Sequence, residues 1–232
     1  MIKRALVGGL AALFVIAAQA QSETADIKKT IESFFGVKVD SVRNAGFLGL
    51  YEVQVGGDIL YTDKKANYVV VGNVIDTKSH KNLTEERTRP KFSELPFDLA
   101  IKQVRGNGKR VFATFEDPNC GYCKKLAKEL SGMTDVTIYT FLLPILSPES
   151  GEKSKAIWCA PDKVKAWNDW MINGNAPVAA NCDAPNEKVQ ALGKKLKING
   201  TPTIFFADGS RVPGYVPAAQ IEQTMNKIGS GS

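Results

Sequence analysis

Apolar positions along the chain first recur at helical spacing. Ile27, Ile31, Phe34 and Phe35 line one side of a segment from Glu23 to Phe35, with Lys28, Lys29 and Glu32 facing out and Gly36 closing it. The pattern then shortens to a two-residue period. Val37 to Arg43, Leu48 to Val55, Ile59 to Thr62 and Tyr68 to Val71 read as strands, separated by Asn44-Ala45-Gly46, Gly56-Gly57-Asp58, Asp63-Lys64-Lys65 and Gly72-Asn73. Leu50 to Val55 alternates as a half-buried strand does. A helix with a small antiparallel sheet of about 55 residues buries little surface alone. Its open sheet edge invites pairing with another chain. The unit is either a dimerisation module or a packing subdomain.

Residues 75–110 lose this periodicity. They are polar and charged, punctuated by Pro90 and Pro96, and read as a linker with helical pieces; Leu99 to Val104 is the helix expected to enter the next domain. From Val111 strands and helices alternate. Val111–Phe115 is a strand and Cys120–Leu130 a helix; Val136–Leu143 is the next strand, rich in β-formers. Glu152–Cys159 and Asp162–Met171 follow as helices, with Pro161 in the first turn of the second. Pro185–Leu196 is a helix, Thr203–Phe206 and Arg211–Val212 a hairpin about Asp208-Gly209, and Pro217–Ile228 the closing helix. Gly229-Ser230-Gly231-Ser232 reads as a flexible tail. The expected boundaries are thus a leader over 1–20, an N-terminal domain over 21–75, a linker over 76–105, an α/β domain over 106–228 and a tail over 229–232.

The leader comes from the first residues. Lys3-Arg4 precede an apolar run from Ala5 to Ala17, and Ala18-Gln19-Ala20 is a small-x-small cleavage site. The run is short for a membrane span, and no cysteine follows the cleavage site to take a lipid. Export implies an oxidising compartment where disulfides persist. The 232 residues carry a formal charge of +6, to which Lys3 and Arg4 contribute two, with 44% hydrophobic and 23% charged positions. The lysines are scattered among acids and no basic run is interleaved with aromatics, which argues against nucleic-acid binding.

The four cysteines are Cys120, Cys123, Cys159 and Cys182; the single histidine, His80, lies far from them in sequence. Of three possible pairings, Cys120–Cys123 with Cys159–Cys182 is the simplest. A zinc cage would need all four cysteines without a second C-x-x-C, so no metal is expected. Cys120-Gly121-Tyr122-Cys123 stands between a strand and a helix. Cysteines three apart at a helix start share one face. Free N–H groups and the helix dipole favour a thiolate at the first of them, and the thiolate is the species that attacks disulfides. Cys120 is the candidate nucleophile. The alternatives are half a zinc site or a structural disulfide. A Cys159–Cys182 bridge reads as structural, stabilising by about 3 kcal/mol in the chain-entropy picture. Trp158, Trp167 and Trp170 are expected to pack around it.

Cys120-Gly121-Tyr122-Cys123 after a strand, with Gly200-Thr201-Pro202-Thr203 opening a later one, resembles the thioredoxin fold. Leu60-Tyr61-Thr62-Asp63, Ile157-Trp158-Cys159-Ala160, Cys182 and Val212-Pro213-Gly214-Tyr215 extend the likeness to the periplasmic thiol:disulfide interchange proteins of the DsbC/DsbG type, nearest the DsbC branch. The resemblance implies a thioredoxin-like α/β catalytic domain joined by a helical linker to a small α+β dimerisation domain, and a periplasmic homodimer with an apolar cleft. It implies that Cys120 attacks and Cys123 resolves, cycling through a redox-active disulfide, and that Tyr122, Thr201 and a cis Pro202 meet the substrate. Clients would be exported proteins with wrong disulfides, and a membrane thiol reductase of the DsbD type would keep the pair reduced, with no cofactor. A sulfenic acid reductase as in the DsbG branch, or a chaperone holding unfolded clients in the dimer cleft, are the rival readings; a dithiol oxidase fits less well. Many thioredoxins bury an acid six residues before the first cysteine. Here that position is Thr114, with Glu116 as a possible substitute, expected to be solvated near its strand end.

Overall fold

A computed structural model describes residues 8–230. They form two compact units that divide between Arg89 and Pro90. In the first unit, helix α1 (Gly8–Phe35) precedes strands β1 (Ser41–Asn44), β2 (Tyr51–Val55), β3 (Asp58–Thr62) and β4 (Val69–Val71). The strands form an antiparallel meander in the order β1-β2-β3-β4. Ile27 and Ile31 of α1 pack on Val39 and Val53, so the helical stripe predicted there covers the sheet. The helix runs unbroken across the expected cleavage point at Ala20. Residues 1–7 of the expected leader lie outside the described residues. No helix among the described residues is long and apolar enough to cross a membrane.

The stretch read as a linker divides between the units. The β5 (Ile75–Asp76) and β6 (Lys81–Asn82) pair and helix α2 (Leu83–Thr88) belong to the first. The Thr84 hydroxyl shares a hydrogen bond with Tyr61 at 2.6 Å and accepts from the Val74 N–H at 2.9 Å. Arg87 pairs with buried Glu52, which Arg43 also meets. These attachments are polar, so the segment lacks the hydrophobic period that marks a packed element. The expected Leu99–Val104 helix is instead strand β7 (Ile101–Arg105). Ile101 and Gln103 point inward while Lys102 and Val104 point out. An inward Gln and an outward Val hide the two-residue period.

The second unit carries a five-stranded sheet in the order β11-β10-β8-β9-β7. Its strands β8 (Arg110–Glu116) and β9 (Val136–Leu142) run parallel; β7, β10 (Thr203–Phe206) and β11 (Arg211–Pro213) pair antiparallel. Helices α3 (Gly121–Leu130), α4 (Pro148–Trp158), α5 (Lys163–Met171), α6 (Asn186–Lys195) and α7 (Ala218–Ser230) cover it. Phe112, Ile138 and Ile204 pack with Leu126 and Leu130 of α3 and Ile221 of α7. Ala113, Phe115 and Phe205 pack with Val189 of α6 on the opposite face. β8 is therefore central and buried on both sides, and its residues alternate between the α3 face and the α6 face. Helix α4 starts earlier than expected because Ser147 caps it, accepting the Ser150 N–H at 3.3 Å. Pro161 precedes the Asp162 cap of α5 and is not in its first turn. Gly229 and Ser230, read as tail, end α7.

Cys159 and Cys182 are disulfide-bonded, with Cα atoms 5.7 Å apart. Replacing both by serine should destabilise the second unit by about 3 kcal/mol. Urea denaturation of oxidised wild type and variant measures the difference; coincident midpoints would show the bridge to be idle.

Candidate active site

Strand β8 ends at Glu116, and Asp117-Pro118-Asn119 turn the chain into α3. The turn is pinned by Asp117, which is fully buried. Its Oδ1 accepts from the Asn119 N–H and the Ser150 hydroxyl, both at 2.8 Å; its Oδ2 accepts from the N–H groups of Ile145 and Leu146 at 2.8 and 2.9 Å. Its carbonyl accepts the Cys120 N–H at 3.0 Å. One carboxylate thus ties the redox turn to the loop after β9 and to α4. In the sequence the only mark of Asp117 is its turn pattern, an Asx residue two before another Asx and three before the helix cap.

Cys120 occupies the N-cap of α3 and its Sγ accepts the Cys123 N–H at 3.3 Å. Both cysteines are unbridged and buried. The Cys123 thiol, directed at Cys120, lowers the Cys120 pKa to about 6 against partial burial, with Thr201 and the N–H groups of Cys123 and Tyr122 adding to the effect. Cys123 moves the other way. Burial, the Cys120 sulfur and the charges of Glu116 and Cys120 push its thiol far up. One sulfur is prepared as a thiolate and the other as a thiol. Alkylation of the reduced protein with iodoacetamide should therefore titrate at Cys120 with a midpoint near pH 6 and leave Cys123 unmodified at neutral pH, as peptide mass spectrometry reads. A midpoint near the ordinary thiol value of about 8.5 would contradict this polarisation.

The Thr201–Pro202 peptide is cis, and the Thr201 carbonyl lies 3.3 Å from Cys120 Sγ. Of the residues expected to meet substrate, the structure brings Thr201 to Cys120, with Pro202 next to it across the cis peptide. Tyr122 is 64% exposed, its ring stacked 6.1 Å from that of Tyr215.

Glu116 departs from expectation. It is buried, 1% exposed, because β8 is central and because alternation puts Phe112, Thr114 and Glu116 on one face, the face that α3 covers. Positions six and four before Cys120 are thus equivalent in facing. Thr114 donates its hydroxyl to Glu116 Oε1 at 2.7 Å, while Oε2 has no partner among the described residues. Burial, with the Cys120 charge adding and Thr114 opposing, raises the Glu116 pKa to about 8. A cavity of about 10 Å³ adjoins it, lined also by Gln103, Ala127, Trp167 and Asn168; that is room for one water.

The tryptophans pack on the redox pair more than on the disulfide. Trp167 is buried in one cluster with Cys120 and Cys123, and the Trp170 indole N–H donates to the Pro118 carbonyl at 2.6 Å. Helix α5 brings them there because it packs on α3. Trp158, next to Cys159, carries the Lys163 ammonium 3.4 Å from its ring centroid. Among the described residues no cluster of His, Cys, Asp and Glu is arranged to hold a metal ion.

Similarity to known proteins covers both units. A family model described as a thioredoxin-like domain matches residues 97–229, and one described as the disulfide bond isomerase protein N-terminal domain matches residues 17–85. The chain is 49% identical over 211 residues to the probable thiol:disulfide interchange protein DsbC of Bordetella parapertussis, covering 88% of this chain and 75% of that one. It is 28% identical over 214 residues to the thiol:disulfide interchange protein DsbC of Escherichia coli, covering 90% and 89%. Among solved structures, the disulfide interchange protein from Neisseria gonorrhoeae superposes with a TM-score of 0.56 at 46% identity, over 57% of this chain and 97% of that one.

Proposed function

We propose that this chain, which belongs to the DsbC family of thiol:disulfide interchange proteins, is a periplasmic disulfide isomerase and reductase acting through Cys120. The observation that carries the reading is the geometry of the pair: Cys120 caps α3, its Sγ accepts the Cys123 N–H at 3.3 Å, and the cis Thr201–Pro202 peptide lies beside it.

The Cys120 thiolate attacks one sulfur of a client disulfide. A bond forms between Cys120 and that sulfur, the client S–S bond breaks, and the other client sulfur leaves as a thiolate. Two exits follow. A second client thiolate attacks the mixed disulfide, forms a new client disulfide and returns Cys120 as thiolate; no electrons are gained or lost, and this is isomerisation. Alternatively Cys123 loses its proton and attacks the Cys120 sulfur. The client leaves with two thiols, having taken two electrons, and the enzyme holds a Cys120–Cys123 disulfide that an external thiol reductant must reopen.

The second exit needs a proton acceptor for Cys123, and Glu116 supplies it. While Cys120 is a thiolate its charge helps keep Glu116 protonated. In the mixed disulfide that charge is gone, which favours the ionised carboxylate at the moment Cys123 must give up its proton. The adjoining cavity has room for a relaying water.

Assembly into a homodimer fits the first unit. β4 is the last strand of its sheet; Val70 and Val71 are exposed on it, and Tyr68 is exposed just before it. An apolar edge of this kind is covered in a stable protein. The expected leader places the chain in the periplasm, and the expected clients are exported proteins with wrong disulfides.

The test is reactivation of a scrambled multi-disulfide protein by the reduced chain. Recovery of activity with the enzyme pair still reduced supports isomerisation. Reduction of sulfenic acids without any reactivation would move the assignment to the rival activity, and suppression of aggregation without either would leave a chaperone.

A further inference from the structure

Two lysines follow the redox pair directly. Each is held on an aromatic ring from another part of the fold. The Lys124 ammonium lies 3.8 Å from the Trp170 ring centroid and the Lys125 ammonium 4.3 Å from that of Tyr215. The rings are themselves anchored. Trp170 donates to the Pro118 carbonyl, two residues before Cys120, and Tyr215 bonds Glu129 through its hydroxyl and stacks near Tyr122. Neither lysine has a carboxylate within ion-pair distance among the described residues, and Glu149 and Glu129 act on Lys124 and Lys125 only at longer range. Lys153 also reaches Trp170, at 4.3 Å, but its charge is matched by Glu149 at 2.6 Å. Glu129 is turned to Tyr215 and to the Ala218 N–H.

The distinction between a ring and a carboxylate as partner matters. A carboxylate cancels an ammonium's charge. An aromatic face fixes the ammonium in place through its quadrupole and leaves the full charge standing. Lys124 and Lys125 are therefore two positioned positive charges with no carboxylate in direct contact, next in the chain after Cys123. A lysine free in solvent would spread its charge over many rotamers; these two hold theirs about one helical turn beyond Cys120.

We infer that Lys124 and Lys125, seated on Trp170 and Tyr215, make the redox site select disulfides flanked by acidic residues. The inference rests on the thiol-exchange reading above. Carboxylates on either side of the client cysteine would meet the two ammoniums as the client sulfur approaches Cys120. Fixed opposite charge raises the encounter rate more than it changes the chemistry, and it does so through a field that salt screens.

The experiment uses the reduced full-length protein and three disulfide peptides with glutamate, glutamine or lysine on both sides of the cystine. Each turnover passes two electrons from Cys120 and Cys123 to the peptide, leaving a peptide dithiol and an enzyme disulfide, and stopped-flow protein fluorescence follows the loss of enzyme dithiol. At low ionic strength the glutamate peptide should react about 10-fold faster than the lysine peptide, with the glutamine peptide between. The ratio should fall towards one at about 1 M salt, where the screening length drops to about 3 Å. In Lys124→Gln with Lys125→Gln the ratio should lie near one at low salt, and in Lys124→Glu with Lys125→Glu it should invert. Equal rates for the three peptides with wild type, or a preference that survives both variants, overturn the inference. Failure of every peptide to oxidise the pair would sink the thiol-exchange reading itself, so the two failures are separate.

Discussion

Cys120→Ser should lower disulfide reduction and isomerisation by at least about a thousandfold, to the uncatalysed rate. A serine hydroxyl at the same N-cap cannot form a bond to client sulfur, and its proton is not released at neutral pH. The chemistry then has no first step. Serine also caps helices well, so α3 and the thermal transition should survive. Reactivation of a scrambled protein and the trapping of mixed disulfides both read the effect. Cys123→Ser is the informative companion. It removes only the internal exit, so it should accumulate the Cys120–client mixed disulfide while still permitting isomerisation through client thiols. A Cys120→Ser protein that reactivated its client as well as wild type would transfer the nucleophile to another group.

Glu116→Gln should slow closure of the Cys120–Cys123 disulfide from the mixed disulfide by about a hundredfold at pH 7, within the range of a lost general base. The first attack should be spared, because Glu116 is largely protonated below its pKa of about 8 when that step begins. The two steps separate in rapid-quench experiments: alkylation of Cys120 keeps its midpoint, while mixed disulfide persists. Product balance should shift towards isomerisation, which does not need Cys123. Equal slowing of both steps would point to a disturbed fold. Stability supplies a second readout, with its sign fixed by linkage. The native carboxyl stays protonated to about 8 while the unfolded one ionises near 4.5. The unfolded state therefore binds fewer protons between those values, and wild type loses stability as pH rises through this window. The variant lacks that slope, so its melting temperature should gain on wild type between pH 5 and pH 8.

Much of this site was legible along the chain because its signals are local. A cysteine at a helix start, a partner three residues on and a Thr-Pro before a strand are short patterns with direct mechanisms. A place at a strand end predicts a solvated Glu116, yet the side chain is buried. What buries it is β10 on one side of β8, β9 on the other and α3 above. The role of Asp117 is not legible locally because its partners, Ile145, Leu146 and Ser150, lie 28 to 33 residues downstream. Sequence proximity ties the tryptophans to Cys159, whereas α5 packs on α3 and sets Trp167 against Cys120 and Cys123.

The sequence by itself determined the strand–turn–helix that presents Cys120, because that rests on periodicity and on spacing between neighbours; the thioredoxin-like class of the second unit rested on a resemblance, and the bond between Cys159 and Cys182, one of three possible pairings in the sequence, is seen in the structure. Tertiary structure alone decided three things. It showed that residues 75–88 belong to the first unit, that residues 101–105 are an edge strand of the second sheet, and that a carboxyl group is buried beneath the redox pair. The reason is common to all three. Burial of a polar residue depends on what distant segments bring over it, and no local pattern of hydrophobic and polar positions records that.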